Sequence, residues 1–214
     1  DVALAHAEWQ GGAWRVAART PVGTLATTLR IAGHHNVVNA LAAAACALAS
    51  GVSLDHIAPG LAAFEPVKGR SRASEIARGD GRTLTLVDDT YNANPDSVRA
   101  AIDVLAALPG PRLLVLGDMG EVGDEGPAFH AEIGRYAAER GTDHLWTPGD
   151  PGVHACQAAA GQATVPAWHA PPIEAPQAAV LEAMPGVSAA LVTRSRSMGL
   201  ERGVQAARAA QPAP

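Results

Sequence analysis

Residues Leu84 to Ser97 read LTLVDDTYNANPDS, and the order of residue types in this stretch decides the fold. Residues 84–87, LTLV, are apolar or β-branched, as a buried strand requires, and they run straight into two adjacent aspartates. Asn94 then offers a side-chain oxygen to cap a helix. Pro95 suits the first helical turn, because its missing N–H would have no partner there. Val98, Ile102 and Leu105 follow at helical spacing and make a buried stripe. Strand, polar loop and helix together form the first half of a βαβ unit. Two carboxylates at a strand end are costly unless solvated, paired or offered to a ligand. Neighbouring strand residues face opposite ways, so one of Asp88 and Asp89 can point into a crevice while the other bonds local backbone. Spacing alone favours two solvated turn aspartates.

Downstream the same alternation repeats. Strand-like runs at 113–116, 144–147, 164–168 and 189–193 alternate with helical segments at 95–108, 128–140, 153–160, 175–184 and 199–210. This predicts an α/β, Rossmann-like, mostly parallel sheet with helices on both faces. Ligands of such sheets sit beyond the carboxyl ends of the strands, where this chain places Asp88 to Thr90, Gly117 and Asp118, Thr147 to Asp150, and Thr193 to Ser197.

Upstream the text is different. EWQGGAWRVAART is a hairpin pattern around Gly11 and Gly12, and GTLATTLRI continues as strand. From Asn36, residues Val37, Leu41, Ala44 and Leu48 share a helical face that Gly51 ends; a second helix is expected at 53–63 with Ser53 as its N-cap. Pro66 to Gly69 punctuates the chain, predicting one domain at 1–67 and another at 68–214. In the second, SRASEIA and RTLTLVD flank RGDG as a hairpin.

Composition narrows the function. The 214 residues are 48% apolar, enough for a real core, and no run of 18 apolar residues is present. A net charge of −5 with a single lysine, Lys68, argues against a nucleic-acid surface. Cys46 and Cys156 are far apart and read as two buried small apolar residues of a reducing cytoplasm. The eight histidines are scattered, and His34 and His35 point to different faces, so no metal site is expected. A first residue other than Met, in the middle of strand-like text, suggests a fragment.

Four further features bear on chemistry. LLVLGDMGEVGDEG carries Asp118 and Glu121 on a glycine-rich acidic loop, unlike the dinucleotide fingerprint and better suited to a metal or an ammonium group. Asn36 and Asn39, one turn apart, can read the donor and acceptor edge of a base or serve as caps. Lys68 and Arg70 in VKGR can bridge to a phosphate or ribose, or be solvated hinge charges. Ser195 and Arg196 in LVTRSRSMG suit an anionic group, or a helix start.

In this order the stretches GHHNVVNALAAAACAL, PVKGR, VDDTYNANPDSVRAAIDVL and VLGDMGEVGDEGPAFHAEIGRYA resemble the carboxyl-terminal part of a Mur ligase. The resemblance is closest to the branch that adds D-alanyl-D-alanine to UDP-N-acetylmuramoyl-tripeptide in peptidoglycan precursor synthesis. It covers Gly33 to Ala137 well and the last third mainly in layout. It implies a tail of the central ATPase domain at 1–67 and a complete third domain at 68–214. It also implies an ATP- and Mg²⁺-dependent amide-bond ligase of the cytoplasm that is expected to be a monomer and acts through an acyl phosphate. By the same resemblance, Asn36 and Asn39 contact adenine, Arg70 reaches the nucleotide and Asp89 holds ribose hydroxyls. Tyr91, Asn92 and Asn94 shape the loop, and Asp118, Glu121, Ser195 and Arg196 are candidates for the acceptor's ammonium and carboxylate.

Two departures stand against this pattern. No GxxxxGK[ST] loop or upstream metal ligand is present, so the chain alone is not expected to turn over. VTRSR, with Thr193 and Arg194, stands where relatives usually read VKGSR, which puts the role of the last strand end in question. The alternatives are a Mur ligase for another amino acid, a Rossmann-type nucleotide-binding module without ligase chemistry, or a pure interaction domain.

Overall fold

The computed structural model describes residues 1–10, 12–77, 81–120, 122–161, 165–170 and 186–194. The chain divides into two compact units, Asp1–Val67 and Lys68–Pro214.

In the first unit, β1 (Ala3–Gln10), β2 (Ala13–Thr20) and β3 (Gly23–Leu29) form an antiparallel sheet in that order. The predicted hairpin pairs Trp9 with Trp14, whose rings meet edge to face at 5.5 Å. Helices α1 (His34–Ala49) and α2 (Leu54–Ala62) cover the sheet. Ala18 and Leu25 pack with Ala44 and Ile57, while Val16 and Leu29 pack with Val37; of the two cysteines expected to be buried, Cys46 is exposed and Cys156 only half-buried. Gly51 takes φ +83° just past α1, a conformation open to glycine at little cost. Ser53 does stand at the N-cap position of α2, but its hydroxyl bonds the His56 ring at 2.8 Å and caps no backbone N–H. The adjacent imidazole competes successfully for that oxygen.

The second unit holds β4 (Arg72–Ala77), β5 (Thr83–Asp89), α3 (Pro95–Ala106), β6 (Arg112–Leu116), α4 (Gly126–Glu139), β7 (His144–Pro148), α5 (Gly152–Ala160), β8 (Ala167–Ala170) and β9 (Ala189–Thr193). A short 3-10 turn, Gly123–Glu125, leads into α4. The sheet order is β4-β5-β9-β6-β7-β8, parallel except for β4, which is the hairpin partner of β5. This is the expected Rossmann-like, mostly parallel α/β sheet. Among the parallel strands, β9 is buried at all five residues, consistent with its place between β5 and β6. Strand β8 begins three residues later than the pattern at 164–168 suggested. The helices expected at 175–184 and 199–210 lie outside the described residues.

Successive steps from β5 to β6, β7 and β8 all move one way across the sheet, so right-handed crossovers put α3, α4 and α5 on one face. Helix α3 starts as read from the sequence. Asn94 Oδ1 accepts from Ser97 N at 2.9 Å, and Ser97 Oγ accepts from Asn94 N at 3.0 Å, a reciprocal capping box. Asn94→Ala is therefore expected to cost about 1 kcal/mol, read as a lowered urea midpoint with an unchanged slope.

Candidate functional site

The carboxyl edge of the sheet brings Asp89 of β5 beside Thr193 of β9, and Thr193 beside Leu116 of β6. Asp88 is fully buried. Its Oδ1 accepts from Thr90 Oγ1 at 2.7 Å and from Thr90 N at 3.3 Å, so it organises the turn. Asp89, on the opposite face, is half-buried, and its Oδ1 accepts from Ser71 N at 2.8 Å and Ser71 Oγ at 3.3 Å.

The segment 69–71 is clasped onto 89–91. Tyr91 N donates to Gly69 O at 2.9 Å, and the Arg70 guanidinium lies 4.0 Å from the centre of the Tyr91 ring. Gly69 has φ +78°, and a Cβ there would stand 2.8 Å from Tyr91 N, so both conformation and space demand glycine. Ser71 also adopts a positive φ, 47°, which turns its N–H toward Asp89. Arg70, Asp89 and Tyr91 are thus brought together. Asn92 sits half-buried in the same loop, and Asn94 serves as the cap. Ser71 was missed by sequence reasoning; a serine after Lys-Gly-Arg carries no signal of a left-handed backbone.

The acidic loop after β6 is tied to its surroundings through the backbone. Gly117 N donates to Thr193 O at 2.9 Å, and Gly120 N donates to Ala93 O at 3.0 Å, which joins this loop to the one between β5 and α3. Thr193 and Arg194 are both buried. His130 of α4 is fully buried beneath the loop. Met119 N donates to its Nε2 at 3.2 Å, and its Nδ1 lies 2.8 Å from Gly126 O. A carbonyl can only accept, so Nδ1 carries the proton and Nε2 is the acceptor, which fixes one neutral tautomer. Burial pushes the His130 pKa down, the bond to the Gly126 carbonyl and the nearby Asp118 oppose that, and His154 adds to it. Burial also pushes Asp118 up, with His130 and His169 pulling it back and Asp150 pushing it further. Glu121, Ser195 and Arg196 lie outside the described residues.

These shifts predict a pH dependence of stability. Folded His130 binds a proton less readily than the unfolded chain, so its contribution is complete above the ordinary histidine value of about 6.5 and is lost as pH falls below it. Asp118, raised in the fold, acts in the opposite sense and relieves strain in more acid solution. The urea midpoint is expected to drop between about pH 7.5 and 5.5, and His130→Gln should flatten that drop.

In the first unit, Asn36 and Asn39 share a pocket of about 290 Å³ walled by Leu29, Ile31, Ala40, Ala43, Leu61 and Phe64. Asn36 Nδ2 donates to Ala32 O at 2.7 Å, and Asn39 Nδ2 donates to Asn36 Oδ1 at 3.3 Å. Neither caps α1, whose N-cap is Gly33 without a side-chain bond. The paired amides keep further donor and acceptor capacity beside an apolar slot, which fits a planar heteroaromatic base. Among the described residues, no group of three or more His, Cys, Asp or Glu is arranged to hold a metal ion.

Residues 72–196, more than half of the chain, match the family model described as Mur ligase, glutamate ligase domain, and the chain belongs to that family. Among curated relatives, the UDP-N-acetylmuramoyl-tripeptide–D-alanyl-D-alanine ligase of Escherichia coli (strain K12) is 42% identical over 143 residues, covering 67% of this chain and 30% of the relative. The ligase of the same name from Haemophilus influenzae is 44% identical over 117 residues, covering 55% of this chain and 25% of the relative. A crystal structure of MurF from Acinetobacter baumannii superposes with a TM-score of 0.78 at 33% identity, covering 98% of this chain and 45% of that one. The chain thus spans less than half the length of each of these relatives.

Proposed function

We propose that this chain is the carboxyl-terminal part of an ATP-dependent ligase that joins D-alanyl-D-alanine to UDP-N-acetylmuramoyl-tripeptide, with residues 1–67 the tail of its central domain and 68–214 its third domain. The observation that carries this reading is the 42% identity to the E. coli ligase of that name, which accompanies the polar loops at the carboxyl edge of the sheet. Asn36 and Asn39 receive the adenine, Asp89 the ribose hydroxyls and Arg70 a phosphate. ATP supplies the activation of the donor carboxylate. The work of this chain is to bind and orient. Asp89 has one oxygen committed to Ser71, which fixes the direction of the carboxylate before nucleotide arrives. Arg70 is held in the same way, its backbone neighbour Gly69 by the Tyr91 N–H and its guanidinium by the Tyr91 ring. Asp118, on the acidic loop, receives the acceptor's ammonium, with Glu121, Ser195 and Arg196 as further candidates. By its family likeness we place the ligase in the cytoplasm, as a monomer; no helix among the described residues is long and apolar enough to cross a membrane.

The test is phosphate release by the full-length ligase carrying this sequence, given ATP, Mg²⁺, UDP-muramoyl tripeptide and D-alanyl-D-alanine. Release that requires every substrate is expected. Release indifferent to the dipeptide would move the assignment to another acceptor, and ATP binding without turnover would favour a nucleotide-binding module. Asn36→Ala and Asn39→Ala should each raise the Michaelis constant for ATP by about tenfold, the worth of a hydrogen bond to a buried base edge.

A further inference from the structure

On the ligase reading above, we propose that His130 is a positioning residue for the acceptor: its imidazole pins the backbone of Met119 and so sets the Asp118 carboxylate where the incoming ammonium is received. The geometry is a relay of two hydrogen bonds. Gly126 O, in the first turn of α4, orients the ring through Nδ1, and the opposite nitrogen takes the N–H of Met119, the residue next to Asp118. All of this is buried, with His130 at 0% and Met119 at 5% exposure, so water does not substitute for the lost acceptor when the ring is removed. The rest of the loop is held at its two ends, by Gly117 N to Thr193 O and Gly120 N to Ala93 O. Between those anchors, His130 bonds the loop backbone at Met119 N. His130 is fully buried and acts through the Met119 backbone, which makes its role indirect.

The arrangement requires a neutral imidazole, because a protonated ring has no lone pair for Met119 N–H. The titratable groups acting on it are Asp118 in the loop, which favours protonation, and His154 of α5, which opposes it together with burial. Asp118 in turn feels Asp150 after β7 and His169 of β8. Protonation of His130 in acid therefore frees the Met119 amide and loosens the Asp118 carboxylate.

The test uses the full-length ligase with His130→Leu, which removes the acceptor atom, and His130→Gln, whose amide oxygen reaches the Nε2 position without titrating. At about pH 7.5, H130L is expected to raise the Michaelis constant for D-alanyl-D-alanine by about tenfold, with that for ATP within about twofold of wild type. H130Q should restore the wild-type acceptor value. As pH is lowered to about 5.5, the wild-type acceptor constant should rise more steeply than that of H130Q. A general structural role would instead lower kcat and raise both Michaelis constants alike, and would overturn the positioning role. An H130L enzyme, folded by thermal melting, with an unchanged acceptor constant would overturn this inference and leave the ligase reading intact. So would a pH dependence identical in wild type and H130Q. A wild-type enzyme without dipeptide-dependent phosphate release would overturn both.

Discussion

Gly134→Ala is expected to destabilise the second unit by about 3 kcal/mol or more, at the upper end of what overpacking costs. Helices α4 and α5 cross at this glycine. A Cβ built there would lie 2.2 Å from Ala155 O and 2.8 Å from Ala155 C and Cα, all backbone atoms of α5. Backbone gives way only if α5 moves as a body. Such a shift would also displace Gly152, whose own missing Cβ keeps the start of α5 against Thr147 at the carboxyl end of β7. Helix propensity alone would favour alanine by about 1 kcal/mol, so the sign of the effect is set by contact and not by intrinsic preference. Gly161→Ala is the internal control. It sits just past the same helix α5, and its nearest atom would be at 3.5 Å, an ordinary contact. Urea titrations of the two variants should show a large loss for the first and little change for the second; equal midpoints would refute the close crossing.

Asp89 supplies the second large effect, and two substitutions separate its two duties. Asp89→Asn keeps an oxygen that can accept from Ser71 N and Oγ but removes the charge that the proposed function assigns to the ribose. In the full-length ligase, it should raise the Michaelis constant for ATP by about ten- to a hundredfold, the range for a charge-assisted hydrogen bond, with the melting temperature nearly unchanged. Asp89→Ala removes both. It should show the same loss toward ATP and also a destabilisation of about 1–2 kcal/mol, because Ser71 N–H is left without its acceptor while its backbone stays in the left-handed region. If the asparagine variant bound ATP as wild type does, Asp89 would be a structural residue, and the nucleotide assignment at this strand end would fall.

The parts of the fold that were legible in the sequence are those governed by local periodicity. The helix beginning at Pro95 was readable because its cap, its proline and its apolar stripe all lie within a dozen residues. Strand β9, 189–193, was equally clear from its four consecutive apolar residues, although nothing local says that it inserts between β5 and β6. Strand β8 was misplaced by three residues, since TVPAW is as strand-like as the AWHA that forms it. At the Ser53 cap, the position was right and the bond wrong, because His56 lies three residues on, within reach of the same hydroxyl.

At the site, the strand-end aspartates were visible as a chemical anomaly, but their division of labour was not. Alternation says only that Asp88 and Asp89 face opposite ways; burial decides that Asp88 serves Thr90 and Asp89 serves Ser71. His130 escaped notice because a lone histidine in a helix has no spacing to betray it. Its partner is a backbone N–H from a loop eleven residues earlier, a relation that only the folded chain reveals. Gly69 was read as a boundary marker, whereas its role is to let the backbone of Tyr91 approach.

The most direct test of the central claim is the mass of the product formed by the full-length ligase from UDP-N-acetylmuramoyl-tripeptide, ATP and an equimolar mixture of D-alanyl-D-alanine and single amino acids. The account predicts one new species, heavier than the tripeptide by a D-alanyl-D-alanine residue pair joined through a new amide with loss of water. A product carrying a single amino acid, with the dipeptide left unreacted, would contradict it.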